Sequence, residues 1–219
     1  MNKAHIDFWK KQFANCPTIV VANGEVPSSE LSLSILNDKR RIVCCDGALQ
    51  KLLSVNVIPD VVVGDGDSMD AELLHQIPYY QDRSEEYNDL QKALKYCMAN
   101  GYDNVLLMGC GGLREDHFIA NLSIMVMYSE WLNLAMLTEH GVFNVFRGAV
   151  KLVSFFGMQV SVFTRNPHTK LTFEGLKYPV NDRSFNWLWE GSLNEAVGDT
   201  FTVAAEDGGA VVVYRAVSS

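Results

Sequence analysis

The chain has 219 residues, of which 48% are hydrophobic, and a formal net charge of −8 at pH 7. This length suits one large domain or two small ones, and no apolar run approaches the roughly 20 residues that a membrane-spanning helix needs. Residues 1–140 hold 19 of the 26 acidic residues, and no basic stripe is evident, so a nucleic-acid partner is not expected.

The N-terminal residues and the cysteines favour a cytoplasmic protein. The first 13 residues mix charged and aromatic side chains, which is not typical of a signal peptide, and they predict a short amphipathic helix. None of the five cysteines forms a C-x-x-C pair. We therefore expect all five to be reduced, with no structural zinc site.

Residues 1–140 alternate between strand-like and helical patterns. The predicted strands are 18–22, 41–45, 61–63, 78–81, 104–108 and 134–138. One predicted helix begins near residue 29, and four others span 48–54, 69–75, 87–98 and 116–128. The last of these is apolar and is expected to be buried. Such alternation predicts an α/β domain with a mainly parallel sheet and helices on both faces.

From residue 141 onward the pattern changes to short strands separated by turn residues. The predicted strands are 142–147, 151–155, 159–163, 171–173, 185–189, 201–204 and 211–214. Regular spacing of this kind predicts an all-β sandwich over residues 141–219, with the domain boundary between residues 138 and 145.

The most informative motif is Gly64-Asp65-Gly66-Asp67-Ser68, which follows the apolar run 61–63. Residues i and i+2 of an extended chain share a face, so two carboxylates point the same way and repel each other unless a cation lies between them. Magnesium held by one or two carboxylates usually accompanies phosphate chemistry. The alternative is an ordinary turn with solvated acids.

Two further motifs suit phosphate binding. Asn88-Asp89-x-x-Lys92 opens a predicted helix and places a lysine beside free backbone N–H groups, although a cap and a surface ion pair would explain it equally. The glycine-rich run 109–112 precedes Arg114, Asp116 and His117, where a capping salt bridge and a structural histidine are the alternatives.

These motifs should meet at one rim, because ligands bind parallel sheets outside the carboxyl ends of their strands. Asp46-Gly47 follows the second predicted strand and belongs to the same group. In the second half, Phe185, Trp187 and Trp189 alternate along a predicted strand. They are expected to face one side, either in the sandwich core or as a platform for a flat ligand ring.

Taken together, the motifs resemble those of the thiamin pyrophosphokinase family, in order across nearly the whole chain. The matching segments are Asp46-Gly47-Ala48, Gly64 to Ser68, Asn88 to Ala93, Arg114 to His117, Gly175-Leu176-Lys177-Tyr178 and Gly191-Ser192-Leu193-Asn194-Glu195. Two positions depart from the family pattern: Leu113 replaces a glycine before the arginine, and Leu193 replaces a serine beside Asn194.

The resemblance implies magnesium-dependent transfer of a pyrophosphoryl group from ATP to the hydroxyl of thiamin, giving thiamin diphosphate and AMP in a homodimer. It implies a catalytic first domain and a second domain for thiamin binding and dimerisation. The implied metal ligands are Asp65, Asp67 and Asp89, with Asp46 nearby, Lys92 and Arg114 balancing charge, and Asp116 orienting the nucleophile or supporting the metal. The implied ATP contacts are Ser68, Gly109, Gly111, Gly112 and His117, and the implied thiamin contacts are Trp187, Trp189, Ser192 and Asn194.

Three other functions remain open at this point. A diphosphokinase for another hydroxymethyl heterocycle, such as a pterin, would share the motifs of the first half. A magnesium-dependent phosphohydrolase would release phosphate without an acceptor. A non-catalytic thiamin or nucleotide sensor is the third, although four carboxylates at one rim exceed what binding alone requires.

Overall fold

The computed structural model describes residues 1–67 and 77–218. The chain divides into two compact units, Met1–Glu139 and His140–Ser219. The helix predicted at 69–75 lies outside the described residues. Within the part of the chain that is described, no helix is both long and apolar enough to cross a membrane.

The described residues of the first unit form a six-stranded parallel sheet. Its strands are β1 (Thr18–Val21), β2 (Arg41–Cys45), β3 (Val61–Gly64), β4 (Tyr79–Gln81), β5 (Asn104–Met108) and β6 (Asn133–Leu137). They lie in the order β6-β5-β1-β2-β3-β4, and every neighbouring pair is parallel. The central strands β1 and β3 are buried throughout, as expected for a parallel sheet covered on both faces.

Five described α-helices occupy the first unit: α1 (Lys3–Gln12), α2 (Glu30–Leu36), α3 (Leu49–Ser54), α4 (Asp89–Ala99) and α5 (Glu115–Tyr128). Local sequence fixes where two of them begin. The Ser29 side chain accepts a hydrogen bond from the Ser32 N–H, and Asn88 forms a reciprocal capping box with Gln91. The predicted helix near the start of the chain is α1, whose Trp9 is fully buried.

The helix predicted at 116–128 exists, but the expectation that it is buried is wrong. Of its residues only Ile124, Met125 and Tyr128 are buried, and Ile119 is 68% exposed. Its apolar composition misled the prediction because only the C-terminal half of α5 has a packed face, and composition does not reveal how far a helix extends past its packing partners.

The second unit consists of antiparallel strands in two groups. The strands are β7 (Gly141–Arg147), β8 (Ala149–Val153), β9 (Gln159–Thr164), β10 (Lys170–Glu174), β11 (Val180–Ser184), β12 (Asn194–Glu195), β13 (Thr200–Ala205) and β14 (Ala210–Ala216). One group has the order β12-β9-β14-β7 and the other β11-β10-β13-β8. Alternate residues of β9, β10 and β13 are buried, as in a sandwich.

The fold class predicted from the sequence, an α/β domain followed by an all-β domain, is confirmed. One predicted strand in the second unit is wrong. Residues 185–189 are not a strand, because β11 ends at Ser184 and Leu188–Gly191 form a short 3-10 helix. Phe185 is consequently buried, whereas Trp187 and Trp189 are exposed, so the three rings do not share a face.

Candidate active site

The predicted acidic residues lie at the carboxyl ends of neighbouring strands in the first unit. Asp46 directly follows β2, Asp65 and Asp67 follow β3, and Asp89 is the first residue of α4. Because β2 and β3 are parallel neighbours, their ends open on the same edge of the sheet. The sheet therefore brings together acids that are up to 43 positions apart in sequence.

Lys92 joins two of these acids through its ammonium group. Its Nζ lies 3.4 Å from Asp65 Oδ2 and 3.4 Å from Asp89 Oδ1. The lysine side chain is 4% exposed, whereas each carboxylate side chain is 40% exposed. Burial disfavours the charged lysine, but attraction by Asp89 and Asp65 outweighs it and raises the pKa of Lys92, so the group stays cationic.

Asp46 is buried and supports the loop that carries the other acids. Its carboxylate accepts hydrogen bonds from the backbone N–H groups of Gly47 at 2.6 Å and of Gly66 at 3.2 Å. Burial raises the pKa of Asp46, although the two hydrogen bonds lower it in part. Asp65 behaves in the opposite way, since the Asp67 N–H, helped by Lys92, lowers the pKa of Asp65.

Gly64 leaves the space that the Asp46 carboxylate occupies. A Cβ at Gly64 would lie 2.3 Å from both Cγ and Oδ2 of Asp46. We expect Gly64→Ala to displace this carboxylate and to lower the free energy of unfolding by about 1–3 kcal/mol through overpacking. Urea denaturation checks this, with Gly198→Ala as the control because a Cβ there meets no atom within 4 Å. Equal stability of the two variants would contradict the expectation.

A cavity of about 560 Å³ contains Lys92 and three of the four acids, but not Asp46. It is lined by Asp65, Asp67, Arg83, Ser84, Glu85, Tyr87, Asn88, Asp89 and Lys92. Sequence reasoning missed Arg83, Ser84, Glu85 and Tyr87. Their position between a strand's carboxyl end and the next helix was the available signal, since such loops line the ligand edge of parallel sheets.

A second cavity, of about 360 Å³, lies in the same unit and shares Asn88 and Asp89 with the first. Its remaining lining residues are Ala22, Asn23, Gly24, Cys45, Leu90, Cys110, Gly111, Leu113, Arg114, His117 and Asn121. The cavity contains residues that follow β1 and β5, where the order of the parallel sheet changes direction. Crevices at such switch points are the usual ligand sites of open α/β sheets.

The glycine-rich loop allows two backbone segments to approach closely. Gly109 has φ +65°, and its carbonyl accepts a hydrogen bond from the Gly24 N–H at 2.6 Å. The Gly111 carbonyl accepts one from the Glu25 N–H at 2.8 Å, and Gly112 has φ +85°. Of the three predicted ATP-binding glycines, only Gly111 lines the smaller cavity.

Arg114 and Asp116 pair with each other at the start of α5. The guanidinium donates from Nε to Asp116 Oδ1 at 3.1 Å and from Nη2 to Oδ2 at 2.6 Å. This pairing lowers the pKa of Asp116. The side chain of Arg114, which precedes the helix, makes no capping hydrogen bond with it. Asp116 instead caps one backbone N–H group of the first turn, because the His117 N–H donates to Asp116 Oδ1 at 2.9 Å.

The predicted thiamin residues of the second unit surround the Leu188–Gly191 turn. Glu190 Oε2 accepts hydrogen bonds from the N–H groups of Asn186 at 2.7 Å and Trp187 at 2.9 Å. Gly191 is required there, since a Cβ would lie 1.9 Å from the Val162 carbonyl oxygen. The turn leaves Trp187 and Trp189 exposed, and Ser192 donates to the Trp189 carbonyl at 2.7 Å.

Asn194 is buried and braces a neighbouring segment. Its Nδ2 donates to the Tyr178 carbonyl at 2.8 Å, and its Oδ1 accepts from the Tyr178 N–H at 3.0 Å. The side chain thus links the two glycine-initiated motifs of this unit. Leu193 beside it has φ +60° and is 81% exposed. A small cavity of about 200 Å³ borders Phe185, Trp187 and Leu188.

Ser68, the remaining predicted ATP contact, lies outside the described residues. Within 1–67 and 77–218, no three His, Cys, Asp or Glu side chains are grouped closely enough to hold a metal ion. Asp65 and Asp89 instead converge on the ammonium of Lys92. The donor set is chemically suited to magnesium, since carboxylate oxygens are its usual protein ligands.

Comparison with known proteins agrees with this architecture. A family model for the thiamin pyrophosphokinase catalytic domain matches residues 33–136, and one for the thiamin pyrophosphokinase substrate-binding domain matches residues 141–214. A search of curated protein sequences returned no match.

Three solved structures illustrate the likeness in fold. Thiamine pyrophosphokinase from Bacillus subtilis is 19% identical with a TM-score of 0.78, over 91% of this chain and 98% of that one. Thiamin pyrophosphokinase from Candida albicans is 16% identical with a TM-score of 0.79, over 94% and 92%. Yeast thiamin pyrophosphokinase is 12% identical with a TM-score of 0.73, over 91% and 85%. Because the two family models together match more than half of the chain, it belongs to the thiamin pyrophosphokinase family of ATP-dependent diphosphotransferases.

Proposed function

We propose that the protein transfers the intact pyrophosphoryl group of ATP to the hydroxyl of thiamin. The thiamin oxygen forms a bond to the β-phosphorus, the bond from that phosphorus to the α,β-bridging oxygen breaks, and AMP leaves. The hydroxyl proton passes to a carboxylate or to water. The observation that carries this proposal is the acidic cavity around Lys92, in a chain that matches both domains of the family.

The smaller cavity is the proposed site of the nucleotide. Its volume of about 360 Å³ lies within the usual range for small-molecule sites. The glycine-rich loop and the start of α5 bring backbone N–H groups to this cavity, and such groups are suited to phosphate oxygens. Asn88 and Asp89 border both cavities, so a triphosphate entering the smaller one would reach the acids lining the larger one.

Asp65, Asp67 and Asp89 are the proposed ligands of Mg²⁺, which would neutralise charge on the transferred phosphoryl groups. All three line the same cavity. Magnesium often takes only one or two carboxylates and completes its shell with water and substrate phosphates. A site of this kind does not require three carboxylates to be grouped before the nucleotide binds.

The remaining polar residues have roles that follow from their contacts. Lys92 is cationic and buried, so it keeps Asp65 and Asp89 close together and offers positive charge to the transferred group. Asp46 holds the loop of Asp65 through the Gly66 N–H. Phosphoryl transfer through a loose transition state needs positioning and charge neutralisation more than covalent help from the protein.

Two carboxylates are candidates for orienting the thiamin hydroxyl. Asp116 is bound by Arg114 through two hydrogen bonds and lines neither of the two cavities. Asp89 lies in the larger cavity and contacts Lys92. The geometry therefore favours Asp89 as the group that accepts the hydroxyl proton. Arg114 would release Asp116, bind the nucleotide and balance the negative charge of its phosphates.

The second unit is the proposed site of thiamin binding and of dimerisation. Trp187, Leu188, Trp189 and Leu193 are each at least 67% exposed within seven residues of chain. Contiguous exposed apolar groups of this size mark ligand or protein interfaces. Light scattering during size-exclusion chromatography tests the dimer, for which we expect twice the chain mass of 24.5 kDa.

The aromatic pair should contribute to thiamin recognition. We expect Trp187→Ala to raise KM for thiamin by about tenfold, because stacking on a flat ring contributes roughly 0.5–1.5 kcal/mol beyond burial. KM for ATP should remain within about twofold, a shift of less than 0.5 kcal/mol. Trp131→Ala is the matched control, since Trp131 is exposed in the first unit. An unchanged KM for thiamin would remove Trp187 from the site.

The proposal is tested by incubating the purified protein with ATP, magnesium and thiamin, followed by mass spectrometry of the products. We expect thiamin diphosphate and AMP in equal amounts, with neither formed when thiamin is omitted or EDTA is added. Phosphate release without thiamin would instead indicate a phosphohydrolase. Transfer to a hydroxymethyl pterin, but not to thiamin, would indicate the related diphosphokinase.

A further inference from the structure

The ammonium group of Lys51 donates three hydrogen bonds to one short segment, Asn23-Gly24, at the smaller cavity. Its Nζ donates to the Asn23 carbonyl at 2.9 Å, to Asn23 Oδ1 at 2.6 Å and to the Gly24 carbonyl at 2.7 Å. An ammonium group has three protons. All three are therefore used, and Lys51 has none left to donate to a phosphate.

The segment that Lys51 holds forms one wall of the cavity. Asn23 and Gly24 both line it. On its other side the segment meets the glycine-rich loop, because a Cβ at Gly24 would lie 2.3 Å from the Gly109 carbonyl oxygen. The Asn23 carboxamide rests on Gly47, where a Cβ would lie 2.2 Å from Asn23 Nδ2. Backbone contacts thus confine the segment, and Lys51 supplies the remaining restraint.

The charge of Lys51 also remains available at long range. Its three partners are neutral oxygens, and within the described residues it forms no ion pair. Partial burial lowers the pKa of Lys51, as expected for an ammonium without a carboxylate partner. An uncompensated positive charge beside the cavity favours a polyanionic ligand such as a triphosphate.

We infer that Lys51 is a positioning residue for the nucleotide site. It turns the carbonyl oxygens of Asn23 and Gly24 toward its own ammonium, so that these oxygens do not face the phosphates, and it fixes the Asn23 side chain at the cavity wall. The inference deepens the proposed function, since it assumes that ATP occupies this cavity. Lys51 acts through the segment and does not touch the reacting atoms.

Lys51→Met tests the inference, because a positioning role should change KM for ATP while leaving kcat nearly unchanged. We expect KM for ATP to rise by about tenfold, because the segment Asn23-Gly24 is no longer held in place for nucleotide binding. The values of kcat and of KM for thiamin should change by less than about twofold. Lys39→Met is the control, since Lys39 is exposed and lies outside both cavities. An unchanged KM for ATP, or an equal rise in KM for both substrates, would overturn the inference.

A double-mutant cycle separates positioning from a general loss of charge. Asn23→Ala removes one of the three acceptors, and its effect on KM for ATP should be strongly non-additive with that of Lys51→Met. Additive effects would overturn the inference. Lys51→Arg keeps the charge but not the compact donor, so we expect an intermediate KM for ATP. If Lys51→Met fails to fold, Lys51→Arg and Asn23→Ala decide the test.

Calorimetric titration with MgATP distinguishes failure of this inference from failure of the proposed function. If the wild-type chain forms no thiamin diphosphate but binds MgATP, the proposed function fails. The inference then rests on whether Lys51→Met weakens MgATP binding by about tenfold. Equal dissociation constants for the two proteins would overturn it.

Discussion

Replacing Asp67 with asparagine is expected to lower kcat on the order of 10²–10³-fold, the usual scale for losing one preorganised electrostatic contact in a transition state. Asp67 is exposed and lines the larger cavity, and its backbone N–H, which the substitution leaves in place, donates to Asp65 Oδ1 at 3.1 Å. The fold should therefore survive, with a thermal midpoint within about 2 °C of wild type, since exposed substitutions change stability little.

Steady-state kinetics across a magnesium titration provides the measurement for Asp67→Asn. The magnesium concentration for half-maximal rate should rise together with the fall in kcat, because one carboxylate ligand is lost. Asp103→Asn is the matched control, as Asp103 is an exposed acid of the same unit that lines neither cavity. Near wild-type turnover in Asp67→Asn would exclude a metal-binding role for this residue.

Lys92→Met is expected to reduce kcat by a similar factor, on the order of 10²–10³-fold, but for a different reason. The substitution keeps the buried stem and removes the cation that lies 3.4 Å from both Asp65 and Asp89. The two carboxylates would then repel each other. Because each is 40% exposed and solvated, we expect the loss of stability to be small, about 1 kcal/mol.

The measurements for Lys92→Met are kcat and the urea midpoint, with Lys11→Met as a control on an exposed helix position. A distinct dependence on magnesium is also expected. Higher magnesium should partly restore the rate of Lys92→Met, because a divalent cation can occupy the space between two carboxylates. A Lys92→Met protein with wild-type kcat would show that Lys92 serves only to stabilise the fold.

The sequence was sufficient to predict that the acidic residues meet at one edge of the sheet. Asp46, Asp65 and Asp67 each follow an apolar strand run, and parallel strands deliver such residues to one edge regardless of their separation. Asp89 and Lys92 were predictable because a capping asparagine marks the helix start and a spacing of three keeps both on one face. These predictions depended only on local pattern and on the geometry of a parallel sheet.

Features that depend on close approach between distant segments could not be predicted. The alternation of Phe185, Trp187 and Trp189 indicated a strand, but the chain turns at Gly191, where the backbone passes close to the distant Val162 carbonyl. The local hydrogen bond from the Trp187 N–H to Glu190 adds to this turn. Lys51 gave no sequence signal, because its three acceptors are recognisable only after β1 and α3 have been placed side by side.

The most direct test of the proposed function follows the phosphorus atoms of ATP into the products. The protein is incubated with magnesium, thiamin and ATP that carries ³³P in either the α or the β position, and the products are separated by chromatography. We expect the β label in thiamin diphosphate and the α label in AMP, since the pyrophosphoryl group moves intact. Appearance of the β label in ADP would contradict the proposed function. Absence of both labels from every thiamin ester would contradict it as well.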